Sequence, residues 1–210
     1  MKFLITTIIA MAIMGTSCTA TFTAAERATI GTGNEIMPLT TIDNEADSLL
    51  LRQISKPLSR QEVASEEFAT LCRRMLSTVT NPENEGVGIA APQVGILRRL
   101  VAVQRFDKEG EPFEFYINPK IVEYEDNWIL SEEGCLSVPD FRGDLLRAKS
   151  IKISYRDTQY CLHREEVEGF TAIIFQHEID HIDGILYIDH IDEEDFGEII
   201  GEAEEETTAQ

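Results

Sequence analysis

Positive charge is scarce in this chain. Its 210 residues carry 18 Lys and Arg against 38 Asp and Glu, a net charge of −20, and no Lys or Arg follows Arg164. A field of that sign argues against nucleic acid as a partner, because phosphate contacts need clustered cations, and against electrostatic docking on anionic lipid. Cysteine is scarce too, with Cys18, Cys72, Cys135 and Cys161. Setting Cys18 aside leaves an odd number, too few for a disulfide framework, so each is either a buried thiol or a residue with a special task. The uncharged apolar run at residues 3–14 is too short for a comfortable membrane span. Internal repeats are lacking as well, which removes solenoids and propellers from consideration.

What is present begins with a leader. Met1-Lys2, the run at 3–14 and the small residues at 15–20 give a basic n-region, an apolar h-region and a small-residue exit, the pattern of a secretory signal peptide. An uncleaved anchor or a buried N-terminal helix is the competing reading. Cys18 directly follows Gly15-Thr16-Ser17, similar to a lipoprotein signal whose cysteine is acylated, although Gly15 stands where such signals carry a leucine-like residue. The segment predicts an exported bacterial protein, either periplasmic or a lipoprotein anchored to the membrane through Cys18 without spanning it. Residues 21–47, rich in Thr, Ala, Asn and Glu without a clear period, read as a linker. Residues 48–192 fit one domain with a sizeable core, and residues 193–210 read as a strongly acidic tail.

Within the domain, Ser59-Arg60-Gln61-Glu62 is a capping box opening a helix whose apolar face runs Phe68, Leu71, Cys72, Met75, Leu76 and Val79. Residues 100–103, 113–117, 121–124 and 151–155 alternate and are rich in β-branched side chains, so they predict strands. Short strands, a helix before them and a helix near the end make an α+β domain rather than a βαβ repeat.

The chemistry concentrates in His177-Glu178-Ile179-Asp180-His181. On a helix, positions i and i+4 share a face one turn apart, so both imidazoles can bind one cation, with Glu178 placed to handle the proton of a water. The pattern H-E-x-x-H reads as a zinc-hydrolase element, though a solvated amphipathic helix produces the same letters. Phe170, Ile173 and Ile174 precede the histidines at 3/4 spacing, which sets the pair on the apolar side. A strand could begin this β-branched run, but it would hold the histidines too far apart to chelate well. In the metzincin pattern the third ligand would fall at position 187, which is Tyr187, and His190 is out of register. Cys135 is the better third ligand, since a thiolate and two imidazoles leave a fourth position open for catalysis. A buried structural cysteine is the plain alternative. Gly86-Val87-Gly88-Ile89-Ala90-Ala91-Pro92-Gln93 packs small residues that allow close backbone approach, and it ends in a glutamine able to donate to an oxyanion. A plain tight loop is the other reading. The segment follows no strand and lacks the full G-x-G-x-x-G, so dinucleotide binding is not expected.

In this order the segments at 86–93, 133–137 and 176–181 resemble the peptide deformylases, which carry G-φ-G-φ-A-A-x-Q, then E-G-C-L-S, then Q-H-E-x-D-H. The resemblance covers roughly residues 45–192 and implies short antiparallel strands around a central helix bearing the HExxH motif. It implies one divalent metal ion per chain held by Cys135, His177 and His181, usually Fe²⁺, with Zn²⁺ or Ni²⁺ accepted. It assigns Glu178 as general acid and base, and Gln93 with the Leu136 N–H as oxyanion donors. Val87, Gly88 and Ile89 would pair with the substrate backbone as an added strand. Arg142 would contact the peptide further along, and Ile173 and Ile174 would line the pocket for the methionine side chain. The activity implied is metal-dependent hydrolysis of the N-formyl group from formyl-methionyl peptides or proteins, by a monomer, with release of formate.

The flanks depart from the family pattern, whose members act inside the cell and often carry a basic C-terminal helix. An exported form would act on formyl-peptides outside the cytosol, where a thiolate-bound Fe²⁺ is prone to oxidation and Zn²⁺ or Ni²⁺ is favoured. Two other classes stay open: a secreted metallopeptidase or amidase acting on another N-acyl peptide, and a non-catalytic peptide-binding descendant. The latter would be expected to have lost a ligand or the glutamate, and here neither is lost.

Overall fold

The computed structural model describes residues 21–191, so the expected leader and the acidic tail lie outside the described residues. The chain enters through a helix rather than a linker. In α1 (Ala24–Gly31) the Thr23 hydroxyl accepts from the Glu26 N–H while the Glu26 carboxylate accepts from the Thr23 N–H, closing a capping box. Phe22, Ile30 and Met37 are buried in the same core cluster as Phe68, Leu71 and Met75. The reading of 21–47 as a linker is therefore corrected for these residues. The apolar residues of this stretch are too widely spaced to show a period, yet Phe22, Ile30 and Met37 reach the core. The segment then straps two later elements, with the Thr40 N–H donating to the Gln93 carbonyl at 2.8 Å and the Ile42 N–H to the Ser137 carbonyl at 3.0 Å. It continues into α2 (Glu45–Leu51).

The helix expected to run on from Ser59 is broken in two. Ser59 caps α3 (Arg60–Val63) in a box with Glu62, and Ser65 caps α4 (Glu66–Val79), its hydroxyl accepting from the Phe68 N–H. The Ser65 hydroxyl also donates to the Glu62 carbonyl at 2.6 Å, so a single serine ends one helix and starts the next. The predicted apolar face of α4 is buried at Phe68, Leu71, Met75 and Val79, with Cys72 half-buried against it.

Among the described residues seven strands follow: β1 (Gly88–Ala90), β2 (Leu100–Gln104), β3 (Phe113–Tyr124), β4 (Trp128–Cys135), β5 (Val138–Ala148), β6 (Ser150–Arg156) and β7 (Leu162–Glu168). Five of them form an antiparallel sheet in the order β1-β2-β3-β6-β7, while β4 and β5 pair as a separate hairpin. The strands expected at 113–117 and 121–124 are one strand with an irregular middle. Asn118 there adopts φ 52°, and its side chain both accepts from and donates to the Leu58 backbone at 2.8 Å. That clamp carries β3 through a dipeptide that locally reads as a turn.

The last helix, α5 (Gly169–Ile182), packs on the sheet through Phe175, Ile179 and Ile182, which share a cluster with Val101, Val103 and Ile153. On its other side Gln176 grips β5, accepting from the Ala148 N–H at 3.0 Å and donating to its carbonyl at 2.8 Å. After α5 the chain turns at Gly184, with φ 78° and with the Arg52 carbonyl where a Cβ would fall, so only glycine fits. The helix is thereby held between the sheet and the hairpin. Among the described residues no helix is long and apolar enough to cross a membrane.

Candidate metal centre

Cys135 is the last residue of β4, opposite Val138 across the two-residue turn Leu136-Ser137. The hairpin delivers its thiol to the face of α5 that carries both histidines. Cys135 Sγ lies 3.1 Å from His181 Nε2, and the ligand atoms of Cys135, His177 and His181 all fall within 4.8 Å of one another. His177 Nδ1 is held by Glu133 Oε2 at 2.8 Å, which leaves Nε2 as its ligand atom. His181 Nδ1 and Glu178 Oε2 are buried with no hydrogen-bond partner among the described residues. A soft thiolate and two imidazoles with convergent lone pairs suit a divalent transition metal.

The electrostatics prepare the thiol as a ligand. Burial alone would push the Cys135 thiol up, but the charges of His181 and His177 outweigh it and bring it well below its ordinary value. The Ser137 N–H also donates to Sγ, at 3.4 Å. Burial raises the Glu178 carboxyl to about 7 against the lowering pull of both histidines, which places it near neutrality for proton transfer.

Around the ligands runs a buried ionic frame that the motif reading passed over. Glu133 takes two bonds from Arg147, at 2.8 and 3.1 Å, and Arg147 reaches Asp180 at 2.7 Å. Asp180 in turn contacts His190 Nε2 at 2.9 Å. Glu133 and Asp180 stood inside the recognised motifs, but their letters alone did not reveal what they hold. Tyr187, where a metzincin would carry its third histidine, instead stacks on the His177 ring with centroids 5.9 Å apart and donates to the Phe141 carbonyl at 2.9 Å.

A cavity of about 570 Å³ opens over this centre. Val87, Gly88, Gln93, Leu136, Arg142, Ile173, Ile174, His177 and Glu178 all border it, together with Cys135. The Ile89 side chain does not, because alternation along β1 turns it into the core. At Gly88 a Cβ would collide with Glu178 Oε1 and lie 2.8 Å from Ile174 Cγ2, so the bare backbone is what leaves room at the carboxylate. Among the described residues β1 pairs only with β2, and its other edge is open there for an added strand. Gln93 is fixed at one end, its Oε1 accepting from the Ala90 N–H at 2.8 Å, while Nε2 is aimed at Cys135 Sγ from 3.6 Å. Arg142 stands exposed at the rim, 3.7 Å from Glu132.

The chain is similar to known proteins along most of its length. The sequence profile of the family described as "Polypeptide deformylase" matches residues 36–196. A peptide deformylase of Leptospira biflexa serovar Patoc is 38% identical over 149 residues, covering 68% of this chain and 82% of that protein. One from Chlorobium phaeobacteroides is 38% identical over 164 residues, covering 76% of this chain and 83% of that protein. Among solved structures, an actinonin-bound class I type b peptide deformylase from Acinetobacter baumannii superposes with a TM-score of 0.66 at 36% identity, covering 75% of this chain and 99% of that one. A peptide deformylase from Thermotoga maritima superposes with a TM-score of 0.65 at 34% identity, covering 75% and 98%. With the three motifs folded onto one centre and these similarities, the chain belongs to the polypeptide deformylase family, metal-dependent hydrolases that remove the formyl group from the N-terminus of a peptide.

Proposed function

We propose that Cys135, His177 and His181 hold the metal ion for this hydrolysis, and that Glu178 moves the protons. The observation that carries the reading is the buried, unpartnered Glu178 carboxylate facing the open backbone of Gly88 beside the three convergent ligands. A bound divalent metal supplies Lewis acidity, acidifying water and polarising the formyl carbonyl. A formyl-methionyl peptide lies along the free edge of β1, its backbone meeting residues 87–89, and Arg142 meets the chain further on. Glu178 accepts a proton from water as the water oxygen attacks the formyl carbon. Gln93 Nε2 and the Leu136 N–H donate to the developing oxyanion, each worth roughly 3 kcal/mol in comparable sites. Glu178 then passes the proton to the departing amine, and formate and a free N-terminus result.

A thiolate with two imidazoles is able to bind Fe²⁺, Zn²⁺ or Ni²⁺, and outside the cytosol the redox-stable Zn²⁺ and Ni²⁺ are favoured. The leader-like residues 1–20 support export, with anchoring through Cys18 if that residue is acylated, and formyl-peptides outside the cytosol as clients. In this reading the enzyme works as a monomer. The deciding experiment is formate release from a formyl-methionyl peptide by the metal-loaded protein and by Glu178→Ala at equal metal occupancy. Loss of at least a hundredfold in kcat, in line with general acid–base contributions, is expected. Equal rates would refute the assignment.

A further inference from the structure

We propose that the Ser131 hydroxyl lets this site accept N-formyl-methionine sulfoxide as the first residue of the substrate, alongside N-formyl-methionine. The inference rests on the deformylase reading and deepens it. Ser131, Glu133 and Cys135 lie two residues apart on β4 and so share one face of the strand. Their partners step back along α5, from His181 beside Cys135 at 3.1 Å to His177 beside Glu133 at 2.8 Å, one helical turn earlier. Two strand residues advance roughly 6.6 Å and a helical turn about 5.4 Å, so the next step brings Ser131 level with Ile173, a further turn back. Both residues border the cavity, as do Val87, Phe170 and Ile174.

Ser131 supplies the one side-chain hydroxyl along that otherwise apolar stretch of wall, and it makes no hydrogen bond to another described residue. A methionine thioether is only a weak acceptor, so it leaves this donor nearly unused. The sulfoxide keeps the same unbranched chain and adds one strongly polar oxygen. In a wholly apolar chamber that oxygen would give up water with nothing to replace it, a loss on the order of tenfold in affinity or more. The Ser131 O–H offers the replacement.

The test compares kcat/KM of the metal-loaded full chain for formyl-Met-Ala-Ser and formyl-Met(O)-Ala-Ser, in the wild type and in Ser131→Ala. The affinities of the two deformylated products, Met-Ala-Ser and Met(O)-Ala-Ser, are measured on the same proteins. The preference for methionine over its sulfoxide should widen about tenfold in Ser131→Ala, in both rates and product affinities. Should that variant fail to fold, the near-isosteric pair Ser131→Thr and Ser131→Val decides, with the sulfoxide disfavoured only by valine. An unchanged preference in the variants, or a wild type that rejects the sulfoxide as strongly as Ser131→Ala does, overturns the inference. A wild type that releases no formate from either peptide, yet whose product affinities shift as stated, leaves the side-chain assignment standing while the deformylase reading fails.

Discussion

Replacing Glu133 with alanine tests how the metal centre is held. Glu133 and Arg147 are both buried, with side-chain exposures of 6% and 5%. Burial would raise the Glu133 carboxyl, but His177 and Arg147 hold it down at about 2, so it is charged at any working pH. Removing one partner of such a pair costs about 3–5 kcal/mol, because a charge is left behind without its counter-ion. Arg147 keeps Asp180 at 2.7 Å and is not stranded, which places Glu133→Ala at the lower end, about 3 kcal/mol. That is a large part of an ordinary domain's 5–15 kcal/mol or so. The same change removes the acceptor that fixes His177 Nδ1, and metal affinity should fall about 10–100-fold. Glu133→Gln separates the two effects, since its amide oxygen still accepts from the imidazole while the charge is gone. It should lose stability but keep most of the metal affinity. Urea unfolding gives the first quantity and chelator competition the second. Glu133→Ala binding metal as tightly as wild type would refute the frame, as would Glu133→Gln loosening the metal as much as alanine does.

Two further outcomes follow from local geometry. Gly88→Ala sets a methyl group against the Glu178 carboxylate and Ile174, so it should cost about 1–3 kcal/mol of stability by overpacking. It should also lower kcat by about a hundredfold through misplacement of the carboxylate, and an alanine variant with wild-type turnover in the formate assay would contradict the close approach. Glu26 governs acid stability of the N-terminal helix. Burial raises its carboxyl, but Arg98 and the Thr23 cap outweigh burial and bring it from an ordinary 4.5 to about 2. The folded-state value is depressed, so the stabilisation is full above pH 4.5 and is lost as pH falls toward 2. Wild type should therefore unfold at higher urea than Glu26→Gln at pH 6, with the gap closing through that window, and a gap independent of pH would exclude the ion pair as its source.

How much of this was legible in the sequence depended on whether a residue's task was local. Helix α5 announced itself because its histidines, its apolar positions and its flanking glycines all answer to one 3.6-residue period and its ends. That Cys135, His177 and His181 converge, with Gln93 beside them, was foreshadowed by motifs whose spacing is itself chemical. What stayed hidden was set by distant partners. The Asn118-Pro119 step reads as a turn, and only the clamp on Leu58 carries β3 through it. Phe22 and Ile30 sit in a polar stretch whose burial depends on α4 being there to receive them.

The hairpin of β4 and β5 is the most instructive of these, because at two positions on each face its pattern runs opposite to the usual one. The face turned to α5 carries Glu133 and Arg147, nearly fully buried, while the outer face exposes Leu130 at 66% and Leu146 at 61%. Binary patterning would set those leucines inward and the charges outward, and a strand read that way falls in the wrong register. The inversion follows from the task of the hairpin. A metal-binding imidazole in a dry site needs an ionised acceptor behind it, and that acceptor needs its own buried counter-charge. Both must come from the inner face, since only that face reaches His177. Local patterning rules fail at these positions because the buried Glu133–Arg147 pair backs His177 rather than filling the core.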